Sequence, residues 1–231
     1  ATAIRWKQGS VEVACLRDGQ SERHYATAVV IALPLGVLQS GAIGISPSPQ
    51  HAMHQVSQIR VGHAHRTAMI FRRRFWTDLA ARPATHGLDE LSFLHSFSEL
   101  FPVWWTKFPQ ESSVLVAWTG GPRADAIANR THQDLEVAAI RELAKIFAID
   151  EARLSDCLVQ SDSHDWQKDP LAQGSYSYLP AGALHVPEAL SDPIESTLFF
   201  AGEHTDTTGN WGTVHGATES GQRAANQILH R

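Results

Sequence analysis

The sequence lacks several features that would fix its class at once. No apolar run approaches 18 residues, so no segment reads as a membrane-spanning helix. Only two cysteines occur, Cys15 and Cys157, without disulfide, zinc or redox spacing; both read as small hydrophobes. There is no basic excess: a net charge of -5 argues against general nucleic-acid affinity, and the run Arg72, Arg73, Arg74 reads as a solvated strand edge. No Gly-x-Ser-x-Gly elbow is present, and the scattered Ser, His and Asp residues form no hydrolase triad. Internal repeats and low-complexity tracts are missing too. The thirteen histidines include the cluster His51, His54, His63 and His65, but Arg60 and Arg66 beside it would repel a divalent cation, so no metal is expected. The chain opens at Ala1 in what reads as mid-domain sequence, with no signal-like stretch, and a soluble, cytoplasmic protein is the expectation.

What is there suffices for a folded core. With 231 residues, 43% hydrophobic and 19% charged, the chain is globular in composition and can hold one or two domains. Val11, Val13 and Cys15 alternate with polar residues up to the turn Asp18-Gly19, and Ala28 to Ala32 follow as a buried strand. TAMIF, LSFLHSF, FPVWW and VLVAW, between Thr67 and Trp118, predict an antiparallel or mixed sheet. Thr131 with Asp134 predicts a capping box opening an amphipathic helix that runs through Phe147.

The C-terminal run from Leu198 to Leu229 is the most informative. Leu198 to Ala201 read as a short buried strand stopped by Gly202. Val214, Ala217, Gly221, Ala224 and Ile228 then share one small apolar helix face, with Gly212 and Thr213 at the N-terminus. Free N–H groups there would suit an electron-rich ligand atom. A plain strand and a Thr-capped helix, with no ligand, fit the same pattern.

The residues FFAGEHT, then GTVHGA and SGQRAA, resemble the C-terminal FAD-binding motif of flavin-containing amine oxidases, a family that includes monoamine oxidases, polyamine oxidases and lysine-specific histone demethylases. The segment VVIALPLGVLQ resembles another stretch of that family, where a strand leaves the FAD domain. The resemblance implies FAD as cofactor, Glu203 after Gly202 as the ligand of the ribityl chain, and backbone contacts from Gly212, Thr213 and Val214. Trp166, Asp169-Pro170 and GSYSY resemble a second family element, which implies Trp166 beside the flavin and Tyr176 as one wall of the substrate channel. Read without the family, both are ordinary core aromatics.

The family places a second aromatic opposite the first. In the lengthened loop DTTGNWG that position falls on Asn210 or Trp211, and Trp211 is preferred. The family's lysine, which holds a water near flavin N5, is replaced by Arg66, a bulkier, planar and permanently charged group. That replacement puts reoxidation by dioxygen in doubt.

A Gly-x-Gly-x-x-Gly turn is absent, and GVLQSGAIG has neither its spacing nor a following helix. The resemblance therefore implies the C-terminal half of a two-domain α/β (α+β mixed) fold: residues 1–62 and 172–231 as pieces of an FAD-binding domain, and 63–171 as a mixed-sheet substrate-binding domain. The expected activity is oxidation of a small-molecule amine held neutral between Tyr176 and Trp211. Hydride passes to flavin N5, the imine hydrolyses, and dioxygen is reduced to hydrogen peroxide. The expected partner is an N-terminal Rossmann half, in the same polypeptide or another chain; no nucleic acid and no membrane are expected. Two alternatives stay open: a same-fold dehydrogenase or desaturase that reacts poorly with oxygen, and a non-catalytic binding module.

Overall fold

The computed structural model describes residues 1–79 and 87–230. The chain forms two compact units, Ala1–Gly62 with Gln167–Arg231, and His63–Trp166. Gln167 to Leu171 thus group with the first unit, whereas the sequence division had them in the second.

In the first unit, β1 (Ala3–Lys7), β2 (Ser10–Arg17) and β3 (Gln20–Ala26) make an antiparallel meander. The β2–β3 turn is Asp18-Gly19, both at positive φ (52° and 77°), a conformation that glycine adopts without penalty. Then come β4 (Val29–Ile31), α1 (Leu35–Ser40), β5 (Gly44–Ser46), α2 (Gln50–Gln58) and β6 (Arg60–Val61). β5 extends the meander by pairing parallel to β1.

The second unit contains β7 (Ala64–Phe71), β8 (Phe93–His95), β9 (Val103–Trp105), β10 (Val114–Gly120), α3 (Pro122–Ile127), α4 (His132–Phe147), α5 (Glu151–Cys157) and β11 (Leu158–His164). Its five strands lie in the order β11-β7-β10-β9-β8, antiparallel throughout. β7 shows the period-two logic of a sheet with one covered face: His65, Thr67, Met69 and Phe71 are buried, while Arg66 and Ile70 are exposed. Met69, Phe71, Trp104 and Leu115 pack with Leu135, Ala139, Ile140 and Leu143 of α4. Phe75 meets Phe71, Trp76 and Phe147 edge-on at 4.9–5.4 Å between ring centroids. The capping box at Thr131 and Asp134 is present, and the helix ends at Phe147 as expected.

One expectation changes. Arg72 to Arg74 lie in a bend after β7 rather than along a strand edge. Each has a partner: the Asp156 carbonyl, Asp78 and Glu111 respectively. β11, whose polar residues LVQSDSH gave no apolar signal, forms the edge of the sheet. Cys15 and Cys157 are both partly buried, and Cys157 packs against the apolar core of the second unit.

Back in the first unit, β12 (Ser177–Tyr178) pairs with β6, then α6 (Val186–Ser191), β13 (Leu198–Phe200) and α7 (Val214–Leu229) follow. β13 runs parallel to β4 and is buried on both faces. Leu198 and Phe200 join the core with Ile31, Val56 and Val186, while Phe199 and Ala201 pack on Ala224 of α7. The small-residue face of α7 exists, and Ala224 and Ile228 of the expected row lie on it, but its N-terminal part differs. Gly216, Ser220 and Ala224 are buried, whereas Val214 is 81% exposed and Gly221 is also exposed. Close approach selects this face: a Cβ at Gly216 would sit 2.3 Å from the Asn210 carbonyl oxygen.

Candidate active site

β13 ends at Phe200, and two residues on the backbone turns sharply at Gly202 (φ 125°, ψ 160°), a conformation essentially closed to other residues. The turn aims Glu203 into a junction of two other segments. Its Oε1 accepts from the Ser177 N–H at 3.1 Å; Oε2 accepts from the Ser177 hydroxyl at 2.5 Å and from the Gly212 N–H at 2.7 Å. One carboxylate thus clips the GSYSY strand to the Trp211 loop. Three donors leave about one acceptor site of the carboxylate's four.

The loop from Asp206 to Thr213 is organised from inside by Asp206, which is 1% exposed. Its carboxylate accepts from the backbone N–H groups of Thr208 (3.1 Å) and Asn210 (2.7 Å) and from the Thr208 hydroxyl. Its carbonyl accepts from the Trp211 indole N–H at 2.7 Å. Trp211 is therefore anchored and partly buried, while Asn210 is exposed. Gly212 lies against Tyr176, where a Cβ would stand 3.5 Å from the ring. Tyr176 and Trp211 accordingly flank one glycine, and no ring-to-ring contact links them among the described residues. Tyr176 is 40% exposed.

Thr213 caps α7 by accepting from the Gly216 N–H at 3.1 Å. The N–H groups of Val214 and His215 have no acceptor among the described residues and open to solvent at the positive end of a 16-residue helix. Beside Glu203 is a hollow of about 270 Å³ bounded by Pro34, Gly36, Tyr176, Gly202, Glu203 and Ala217. That is below the usual volume of a complete ligand pocket, so it forms one part of a site.

Behind the turn sits His204, 1% exposed, whose ring occupies the space under Gly202: a Cβ there would come within 2.8 Å of the ring. Burial pushes its pKa down to about 4, with Glu203 opposing the shift, so the ring is neutral at pH 7. Arg223 of α7 ties the surroundings together, donating to the carbonyls of Ser191 (2.8 Å) and Phe200 (2.9 Å) and to the Thr205 hydroxyl (2.9 Å). Burial lowers its pKa, while Asp206 and Asp192 hold it charged.

Arg66 and Trp166 belong to the second unit. Arg66 lies on the exposed face of β7, in register with Trp118 of β10 and His164 of β11. The Trp118 ring lies over Gly120, where a Cβ would come within 2.7 Å of it. Trp166 is 42% exposed, and its ring meets that of His164 edge-on at 4.4 Å. Arg66 and Trp166 thus share His164 as a neighbour.

Of the residues singled out in the sequence, Gly202, Glu203, Tyr176, Trp211, Gly212, Thr213 and Val214 come together in the first unit. Sequence reasoning missed Ser177, Asp206, His204 and Arg223. Two of these had a signal. Ser177 alternates with Tyr176 and Tyr178, which marks it as the inward residue of a strand. Asp206 opens Asp-Thr-Thr-Gly, a turn-forming sequence.

These residues fit part of a flavin. A carboxylate with a spare acceptor site suits a sugar-alcohol hydroxyl, and free helix N-terminal N–H groups suit the carbonyl oxygens of a flavin ring. The turn at Gly202 carries no side chain.

Comparison with known proteins gives the family. A family model described as flavin containing amine oxidoreductase matches residues 1–229. The chain is 30% identical over 230 residues to lysine-specific histone demethylase 1 homolog 2 of Arabidopsis thaliana, covering 98% of this chain and 29% of that protein. It is 32% identical over 214 residues to polyamine oxidase 2 of the same plant, covering 89% of this chain and 39% of that protein. Among solved structures, putrescine oxidase bound to putrescine superposes with a TM-score of 0.78 at 20% identity. Cyclohexylamine oxidase from Brevibacterium oxydans IH-35A does so with a TM-score of 0.75 at 24% identity. Each superposition covers 99% of this chain and 48% of the other, so the chain spans about half of those folds and less of the two sequence relatives. With a flavin-containing family matched from residue 1 to 229 and the mixed α/β fold of amine oxidases along its length, this chain belongs to the flavin-containing amine oxidoreductases, whose cofactor is FAD.

Proposed function

We propose that this chain is the C-terminal portion of an FAD-dependent amine oxidase. Glu203 carries the proposal, because it joins two segments while keeping an acceptor site beside the open N-terminus of α7. In this reading the spare acceptor of Glu203 holds a ribityl hydroxyl. The N–H groups at Thr213 and Val214 meet the pyrimidine end of the ring, with Gly202 and Gly212 giving close backbone approach and Trp166 bordering the ring. Residues 1–62 and 172–231 serve the cofactor and 63–171 the substrate. Tyr176 and Trp211 orient the neutral amine and shield it from water, and Arg66 donates to a water near the reacting centre. FAD held by these residues would supply the redox chemistry: acceptance of a hydride from the carbon beside the amine nitrogen, leaving an imine for hydrolysis, and transfer of the two electrons to dioxygen as hydrogen peroxide.

An N-terminal Rossmann half completes the site. The two-stranded parallel pair β4–β13 supports this, since parallel strands are ordinarily members of larger covered sheets. The test is spectroscopic. The full-length gene product, purified with added FAD, should show a bound-flavin spectrum and release peroxide with amine substrates, and Glu203→Ala should lower flavin occupancy. A colourless protein under those conditions would mean a non-catalytic module. One observation favours a second reading: the bulky, exposed Arg66 in place of the family's lysine supports a dehydrogenase or desaturase with slow oxygen chemistry. Steady peroxide production counts against it.

A further inference from the structure

The β2–β3 hairpin brings together three side chains that the linear sequence separates. Cys15 of β2 stands directly opposite Glu22 of β3, and His24 lies two residues further along β3, which puts all three on one face of the sheet. The Cys15 thiol, a Glu22 carboxylate oxygen and a His24 ring nitrogen all lie within 4.8 Å of one another. Glu22 Oε2 already approaches His24 Nε2 at 3.5 Å. We propose that Cys15, Glu22 and His24 form a binding site for zinc or a similar borderline-soft divalent cation, independent of the flavin chemistry.

The donor set decides the ion. Thiolate, imidazole and carboxylate together select zinc-like ions over magnesium or calcium, which take oxygen ligands. Tetrahedral zinc, with bonds of about 2.0–2.3 Å, needs its donors roughly 3.3–3.8 Å apart, so the present spread closes by about an ångström through rotamer changes. His24 and Glu22 are free to make them, being 65% and 37% exposed. The backbone beneath is fixed: β2 is hydrogen-bonded on both edges, to β1 and to β3. Three protein ligands leave a fourth position for water or another small donor.

One cation opposes the site. Arg17 reaches Glu22 Oε1 at 4.0 Å, but it is 75% exposed and uses the oxygen that does not face His24. Arg23 is bound to Glu12 on the opposite face of the hairpin. Binding displaces the thiol proton to solvent, so affinity rises with pH.

The test is cobalt(II) titration of the full-length, flavin-loaded protein, read as difference spectra against the metal-free sample. The expected result is binding of one ion with a thiolate-to-cobalt charge-transfer band, reversed by zinc. Cys15→Ser should abolish the band; Glu22→Gln and His24→Ala should each weaken zinc competition by about tenfold or more, as loss of a ligand requires. The flavin spectrum should be unchanged in all three, and each variant is first shown to melt like the parent. No band in the parent, or a band that survives Cys15→Ser and so arises from another thiol such as Cys157, would overturn the proposal. So would Glu22→Gln and His24→Ala variants that bind zinc as the parent does.

Discussion

The turn at Glu203 and the sheet of the second unit are held by opposite kinds of force. Around Glu203 the contacts are directional: three donors on one carboxylate, four groups on Asp206, and a charged Arg223 spread over three segments. In the second unit the inner face of β7 and β10 rests on α4 through apolar side chains, with Met69, Trp104 and Leu143 fully buried. Directional contacts fix where a few atoms stand, and hydrogen bonds to charged groups such as these contribute about 1.5–3 kcal/mol each. Apolar burial contributes a similar amount, about 1.5–3 kcal/mol per large side chain, but it sums over many side chains and gives little positional control. The turn at Glu203 and the second-unit sheet therefore differ in what their contacts fix: atom positions in one, stability in the other.

The largest expected effect breaks the scaffold side. Trp104 is fully buried against Phe101 and the α4 core, so Trp104→Ala should destabilise the second unit by about 3–5 kcal/mol. Urea unfolding followed by the fluorescence of the remaining tryptophans measures it. A shift under about 1 kcal/mol would mean that this core is not what holds the sheet.

Next comes the site side. Gly202→Ala forces a side chain into a strained backbone region and against the His204 ring, which is buried and cannot swing away. The expected cost is about 1–3 kcal/mol from the backbone alone. Flavin occupancy should fall more than stability does, because Glu203 moves with the turn. Equal losses in both measurements would erase the distinction between the two regions.

The two regions also differed in how far they could be read from sequence. The helix at Thr131 to Phe147 and the strands around Thr67 and Val114 were legible because period and capping chemistry are local. The α7 face was legible only in part. Ala224 and Ile228 were placed rightly, but Gly216 and Ser220 are buried where Val214 and Gly221 were expected, and the close approach of the Asn210 carbonyl to Gly216 is a contact no spacing reports. β11 was missed since an edge strand with one polar face carries little apolar signal. Glu203 was legible through its family motif, but its grip on Ser177 and Gly212 was not. That contact joins residues 26 apart in the chain, and no spacing rule reports it. The same limit hid Cys15, Glu22 and His24, which meet only across a strand register.

Acid should distinguish the regions more gently. The His204 pKa lies near 4 in the folded protein, below the ordinary value of 6.5, so the unfolded chain binds a proton that the folded chain refuses between those two pH values. Stability contributed by neutral His204 is full above pH ~6.5 and is lost as pH falls toward ~4. His65 shifts the same way through burial, with Asp165 opposing. The expected loss from His204 is on the order of 1–3 kcal/mol. Melting temperatures of the parent and of His204→Gln, taken at several pH values across that window, should show a shallower slope in the variant. Identical slopes would remove His204 from the account.

The smallest effect concerns a polar device inside the apolar unit. Thr131 starts α4 by accepting from the Asp134 N–H at 3.1 Å, while Asp134 accepts from the Thr131 N–H at 3.0 Å. The Thr131 hydroxyl, donating to the Asp134 carboxylate at 2.7 Å, and the Thr131 N–H together hold that carboxyl below its ordinary pKa. Thr131→Ala removes the acceptor for one helix N–H and should cost about 1 kcal/mol. The loss should be several-fold smaller than that of Trp104→Ala in the same unit, because Leu135, Ile140 and Leu143 still anchor the helix on the sheet. Hydrogen exchange should show the effect confined to the first turn of α4, with the amides of β7 and β10 as protected as before. Loosening that spread into those strands would show that the cap, and not the apolar face, sets the stability of this unit.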